Sequence, residues 1–157
     1  QNIIELINQF AGTYVVLTYR SDWWAWLTSM ILSCRYGFFH YNDTIDWSTV
    51  DPITISKDDI LLHEQQVFAS WNFFFEVRTS CPGHSFYLLE FSNMLAKYQK
   101  DTTHQAMPYD KTKLITNYDQ AEQMFKQEFL SRWQQWEHRA VKHLKAMSVR
   151  SDIDNLF

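Results

Sequence analysis

Glycine and proline are scarce in this chain: three of each occur among 157 residues, at Gly12, Gly37 and Gly83 and at Pro52, Pro82 and Pro108. Both residues break helix interiors and populate turns. An all-β sandwich or barrel needs more turn positions than six such residues supply, so their scarcity favours helices. Cysteine is nearly as rare. Cys34 and Cys81 are too few for a disulfide scaffold, and reduced thiols in a cytosolic protein are the simpler expectation. No apolar run approaches the roughly 18–20 residues of a spanning helix, and the first residues lack the charged-then-apolar pattern of a signal peptide. A cytoplasmic protein with no membrane partner is expected, although a start at Gln1 leaves a trimmed leader open.

Positive charge is also in short supply. Eighteen acidic against fourteen basic side chains give a formal net charge of -4, which disfavours nucleic acid as a partner. Residues 1–56 hold five acidic and two basic side chains, whereas Arg139, Lys142, Lys145 and Arg150 crowd the end. Cations in the last turns of a C-terminal helix offset its dipole, which accounts for that cluster without a ligand.

What the chain has in abundance is aromatic surface: seven Trp, eight Tyr and twelve Phe, within a hydrophobic fraction of 46%. This suffices for one sizeable core, and a single globular domain over 1–157 is expected. Ile3, Ile4, Ile7 and Phe10 mark a short helix ending near Gly12. "TYVVLTYR", residues 13–20, is β-branched and aromatic and reads as a strand. Ser21 then stands as the N-cap, and Asp22 suits the positive dipole end, of a helix that Gly37 closes. Within it, "SDWWAWL" places Trp23 on a stripe with Leu27, Met30, Ile31 and Cys34, and sets Trp24 and Trp26 on the two flanks. Its back face of Ala25, Thr28, Ser29 and Ser33 is small enough for another element to approach closely.

Residues 38–56 alternate weakly around turn signals and suggest a hairpin or two short strands. Ser56 and Asp59 form a capping box before the helix beginning at Lys57. For residues 70–91 two templates compete, because Trp71, Phe73, Phe75 and Val77 alternate as in a strand while the wider apolar pattern is helical. Two helices around "CPGH" are preferred over a hairpin. Thr116 with Asp119 predicts the start of a last helix, whose stripe from Tyr118 through Phe125, Phe129, Trp133, Trp136, Ala140 and Leu144 to Met147 continues for about eight turns. The expected fold is therefore mainly α, a single-domain helical bundle around a long C-terminal helix with a small β element from 13–20 and 38–55. The alternative is an α+β fold with an antiparallel sheet.

Candidate chemistry is thin. Cys34 with His40 and Cys81 with His84 could offer thiolate and imidazole to zinc, but neither spacing matches a tight ligand pair, so no metal is expected. His63-Glu64 opens like a zinc-protease helix, yet Val67 stands where the second histidine belongs. His138 and His143, five apart, point to different helix faces. Cys81 beside His84 could be a nucleophile, though the Pro and Gly between them argue first for a turn. Asp43, Asp46 and Asp51 follow turn signals, and Asn42-Asp43-Thr44 is a short pattern that chance supplies readily. No phosphate loop or nucleophile elbow exists, and no cofactor is expected. An arginine followed by histidine in "RYGFFH" (Arg35, His40) and "RWQQWEH" (Arg132, His138) suits a small helical ribonuclease, with Arg stabilising charge and His moving a proton.

Against that enzyme stands a binding protein. Aromatic residues are enriched at interface hot spots, and this surplus exceeds what one small core obviously needs. The favoured expectation is an interaction or inhibitory module of the immunity or antitoxin kind, or a self-associating subunit, with Trp24, Trp26 and Trp136 on its binding surface. Its partner would be another protein or itself.

Overall fold

The computed structural model describes residues 2–10, 12–37, 46, 49–91 and 110–151. Helices dominate, joined by one small parallel sheet: α1 (Ile3–Asn8), β1 (Tyr14–Tyr19), α2 (Trp23–Tyr36), α3 (Lys57–Ser80), β2 (Ser85–Glu90), α4 (Lys111–Leu114), α5 (Tyr118–Glu128) and α6 (Leu130–Ala146). Two compact units form. The terminal unit comprises residues 1–21, 66–100 and 134–157, and the central unit residues 22–65 and 101–133. Of the hairpin or two short strands expected over 38–56, residues 38–45, 47 and 48 lie outside the described ones, and residues 49–56 form no strand, Ile53 making only a single parallel bridge to Ile115.

In the terminal unit, β1 pairs with β2 in parallel, Tyr14 opposite Ser85 through Tyr19 opposite Glu90. Phe86, Tyr87, Leu88 and Leu89 are all buried, so β2 is covered on both faces. That explains the correction to residues 85–91, expected as helix: a strand buried on both faces has no polar alternation, and its apolar run imitates a helix segment. The antiparallel alternative is overturned too. Residues 70–79, its other strand, belong to the 24-residue helix α3, and β2 takes its neighbour from residues 14–19 instead. On β2's far side the chain returns at Arg150, whose N–H donates to the Phe86 carbonyl at 2.9 Å while its carbonyl accepts from Leu88 N–H at 2.7 Å.

A Schellman turn delivers Arg150 to that position. After α6 the Val149 N–H reaches the Leu144 carbonyl and the Ser148 N–H the Lys145 carbonyl, both at 3.1 Å, with Ser148 in the left-handed region at φ 63°. Around the sheet, Trp71 of α3 packs on Tyr19 at 5.4 Å between ring centres, Phe75 meets His143 edge-on, and the Arg78 guanidinium lies over Phe86 while its Nε donates to the Met147 carbonyl.

The central unit is built on α2. Its cap is Asp22, whose carboxylate accepts from Ala25 N–H, one residue later than Ser21, because the Ser21 amide and hydroxyl both donate to Glu90 within the terminal unit. Gly37 ends the helix at φ 75°. The small back face admits Lys111 of α4, whose ammonium donates to the Ala25 carbonyl, Thr28 Oγ1 and Ser29 Oγ at 2.7–2.9 Å. The Ser56–Asp59 capping box forms reciprocally: Ser56 N–H donates to the carboxylate at 2.8 Å and Asp59 N–H to Ser56 Oγ at 3.2 Å.

The C-terminal helix is not continuous. Phe129 (φ −120°, ψ −40°) leaves helical torsions, dividing the expected rod into α5 and α6, while its ring stays buried and stacked parallel to Phe125. A bundle around one unbroken helix therefore does not form. Nor does Thr116 cap α5: its hydroxyl pairs with Thr54, and Asn117 at the cap position holds Ile55 through both amide atoms at 2.9 Å.

Two substitutions at helix exits test this backbone account with opposite signs. Ser148→Gly relieves a left-handed serine and is expected to stabilise by about 0.5–1 kcal/mol, while Gly37→Ala forces a side chain into the same region and is expected to cost about 1–2 kcal/mol. Nothing lies within 4 Å of a Cβ placed on Gly37, so that loss is pure backbone strain. Denaturant midpoints measure both.

Candidate functional site

The tryptophan cluster is interior. Trp24, only 8% exposed, stacks on Phe125 at 5.7 Å and meets Tyr118 edge-on. Trp23 crosses Trp133 at 5.5 Å and 86°, and half-buried Trp26 touches Trp23, His63 and Trp133 in edge geometries. Such contacts each add about 0.5–1.5 kcal/mol beyond area burial. Trp136, in the terminal unit, is half-buried against Phe68 at 5.0 Å. The Nε1 atoms of Trp24 and Trp136 are buried with no hydrogen-bond partner. Of the three rings expected on a binding surface, Trp26 and Trp136 retain some accessible area and Trp24 almost none.

Beneath this cluster lies the one carboxylate buried among the described residues, Glu64. Arg132 grips it with two donors, Nε to Oε1 at 2.7 Å and Nη2 to Oε2 at 2.8 Å, and Trp133 Nε1 donates to Oε1 at 2.7 Å. The guanidinium also lies 5.2 Å from the Phe129 ring centre. Burying a charge is costly unless it is paired and hydrogen-bonded, and Glu64 has both forms of compensation. Two of Arg132's donors are thereby engaged within the protein, which counts against its expected role on a phosphate. His138 is exposed on α6 and Arg35 on the last turn of α2, while His40 lies outside the described residues.

The remaining candidates separate. Cys81 is fully buried at the end of α3, and His84 bonds Thr13 Oγ1 through Nδ1 at 3.1 Å, closing the turn after Pro82. His63 is buried beside Trp26. Among the described residues no group of three His, Cys, Asp or Glu side chains is placed to hold a metal ion. Both cysteines are free, Cys34 exposed and Cys81 buried.

Cys34 and Arg35 do share a cleft of about 550 Å³ in the central unit, with Ile31, Ile53, Leu62 and His63 among its walls. Asp59, which also lines it, is held in the capping box. The cleft offers an exposed cation, Arg35, on a wall of mixed polar and apolar residues, a setting that could attract a small anion.

A more distinctive surface lies at the start of the chain. Among the described residues, five of the seven exposed large hydrophobic residues are Ile3, Leu6, Phe10, Tyr14 and Val16. Helix α1 buries no residue at all: Ile3, Leu6 and Phe10 follow helical spacing on an outward face, while Ile4 and Ile7 are half-buried. Gly12, at φ 77°, turns the chain into β1. There Tyr14, Val16 and Thr18 face solvent and Val15, Leu17 and Tyr19 face inward. Among the described residues β1 pairs with β2 alone, and no backbone group of residues 14–19 bonds on the other side. Natural edge strands are usually blunted by charges, prolines or bulges. Residues 13–19 contain none of the charged or proline residues, and the Tyr19 phenol, raised chiefly by burial and further by Glu137 and Glu90, keeps its proton. Sequence reasoning marked this strand but not its open edge, although the uncharged "TYVVLTY" was a visible signal.

The chain matches no protein-family model, and no curated protein or solved structure is significantly similar to it. The Glu64 clamp itself is testable. Arg132→Met leaves a buried carboxylate with a single donor and is expected to cost about 2–3 kcal/mol, less than the ~3–5 of a fully buried pair because the Arg132 side chain is 52% exposed. Glu64→Met combined with Arg132→Met should recover most of that loss in thermal melts; equal losses for the single and double variants would contradict the pairing account.

Proposed function

We propose that this chain is a protein-binding module that captures an extended segment on the free edge of β1, framed by the apolar face of α1. The observation that carries the reading is the edge itself: six residues of β-prone, uncharged strand whose backbone donors and acceptors, among the described residues, are unpaired on one side. In β-strand addition, main-chain hydrogen bonds supply affinity and alternate side chains supply selectivity. Tyr14 and Val16 are placed for the second role, and an exposed apolar patch at a strand edge is a recognised mark of an interaction site.

This reading keeps the interaction class that the composition suggested and moves its surface. The tryptophans serve mainly as core, with Trp26 and Trp136 left as minor contributors. An inhibitory protein of the immunity or antitoxin kind would act by occupying a strand edge or an extended loop of its target. The cytoplasm suits it, since the exposed free thiol of Cys34 persists in a reducing compartment. The ribonuclease alternative is weakened by the engagement of Arg132 with Glu64.

A panel of labelled eight-residue peptides with alternating apolar residues tests the reading by fluorescence anisotropy. Binders are expected whose affinity falls at least about tenfold with Tyr14→Lys or Val16→Lys; folding stability should change by no more than about 0.5 kcal/mol at exposed Val16 and by about 0.5–1.5 kcal/mol at Tyr14, whose ring meets Tyr87 edge-on. Binding that ignores both substitutions but responds to Trp26→Ala or Trp136→Ala would place the surface elsewhere, and no binding across the panel would count against capture altogether.

A further inference from the structure

We infer that the segment the β1 edge takes is β1 of a second copy, so that two chains join through an antiparallel β1–β1 pair. This rests on the capture reading and names its occupant. An edge strand is filled by another strand, and the described part of this chain offers one matching segment with an open edge, β1 itself. On the far side of β2 the backbone is occupied by Arg150, so β1 presents the outer edge of the sheet.

Symmetry then restricts the register, and we place the axis at Val16, near the middle of the strand. A twofold axis normal to the sheet leaves each side chain on its own face, so opposed residues must share parity along the strand. Centring the axis on Val16 places Val16 against the partner's Val16, Tyr14 against the partner's Thr18 and Val15 against the partner's Leu17. Outward residues meet outward residues, and inward meet inward. Like charges directly opposite would oppose such pairing, and residues 13–19 carry none. Arg20, the first charge beyond the strand, falls against the partner's Gly12, and its guanidinium already lies 4.4 Å from the Phe91 ring centre.

The joined sheet runs β2–β1–β1–β2, four strands where the described residues of one chain give two. Two-stranded sheets are marginal, and parallel pairs are normally parts of larger sheets. The interface is modest. Phe10 and Tyr14, at 57% and 60% exposure, contribute about 200 Å² per copy if a whole aromatic side chain covers about 150–250 Å². With Val16 the apolar side chains reach about 250–300 Å², well under half of the ~800 Å² per partner in a standard stable interface. The dimer is therefore reversible and concentration-dependent.

Sedimentation equilibrium on the full chain, from low micromolar to near-millimolar concentration, reads this out. The wild type should pass from the mass of one chain to that of two. Val16→Lys and Val16→Glu should each weaken self-association by at least about tenfold, since each places like charges in direct opposition at the axis, and an equimolar mixture of the two should restore the dimer. A second pair checks the register: Tyr14→Lys with Thr18→Glu in one chain keeps opposite charges together and should dimerise, whereas Tyr14→Lys with Thr18→Lys should not. Cooperative thermal melts show that the variants fold. A wild type that stays one chain at the highest concentration, a dimer indifferent to Val16, or a mixture that fails to recover would overturn the inference. A one-chain wild type that still binds strand peptides through Val16 would leave the capture reading standing, and one that binds none would remove both.

Discussion

Strand β2 sets the terms for the terminal unit. Four consecutive buried residues, Phe86 to Leu89, bring their backbone N–H and C=O groups out of water, and buried backbone groups must be paired. One side is met by β1 along its whole length. The other is met at Arg150, which can reach β2 only because the chain reverses at Ser148 in a conformation that serine adopts at a cost. The need to satisfy a central strand thus explains a strained residue 60 positions away in sequence. It also determines where dissatisfaction remains. Among the described residues β2 is paired along one side and bridged at Arg150 on the other, while β1 is paired on one side alone, which leaves its unpaired groups on an outer edge.

The central unit solves a different problem with the same economy of partners. Three tryptophans in four positions bring large rings to one helix, and only rings from other helices are broad enough to fill the space between them. Phe125, Phe129 and Trp133 supply those surfaces, and Phe129 leaves helical torsions where its ring stacks on Phe125. Glu64 anchors the arrangement by accepting from Arg132 and Trp133 together, so that one carboxylate orients both a cation and an aromatic ring. The aromatic surplus is therefore largely consumed as core.

Much of this was legible in the sequence. Helix α1, strand β1, the Ser56 capping box and the Gly37 exit all follow from local chemistry, because each depends on residues within four positions of one another. The small back face of α2 likewise announced a close neighbour, found in Lys111. What local pattern did not reveal was long-range. Ser85–Glu90 imitates a helix because it is buried on both faces, and the partner that makes it a strand lies some 70 residues earlier. The cap at Ser21 moved to Asp22 because Glu90 engages the serine, and Thr116 failed as a cap because Thr54 engages its hydroxyl. The candidate site was half visible: "TYVVLTY" reads as a strand without charge, but whether an edge is open depends on how many neighbours the fold brings to it.

The account stands on β1 being an open edge beside a strand that is paired along one side and bridged at Arg150 on the other. Amide hydrogen exchange, resolved residue by residue on dilute protein, measures that directly. Tyr87 to Leu89 should exchange only through global unfolding, while alternate amides of Tyr14–Tyr19, those facing away from β2, should exchange orders of magnitude faster and slow as the protein is concentrated. Uniform protection along β1 in the dilute chain would contradict the account, since it would mean that the edge is already covered.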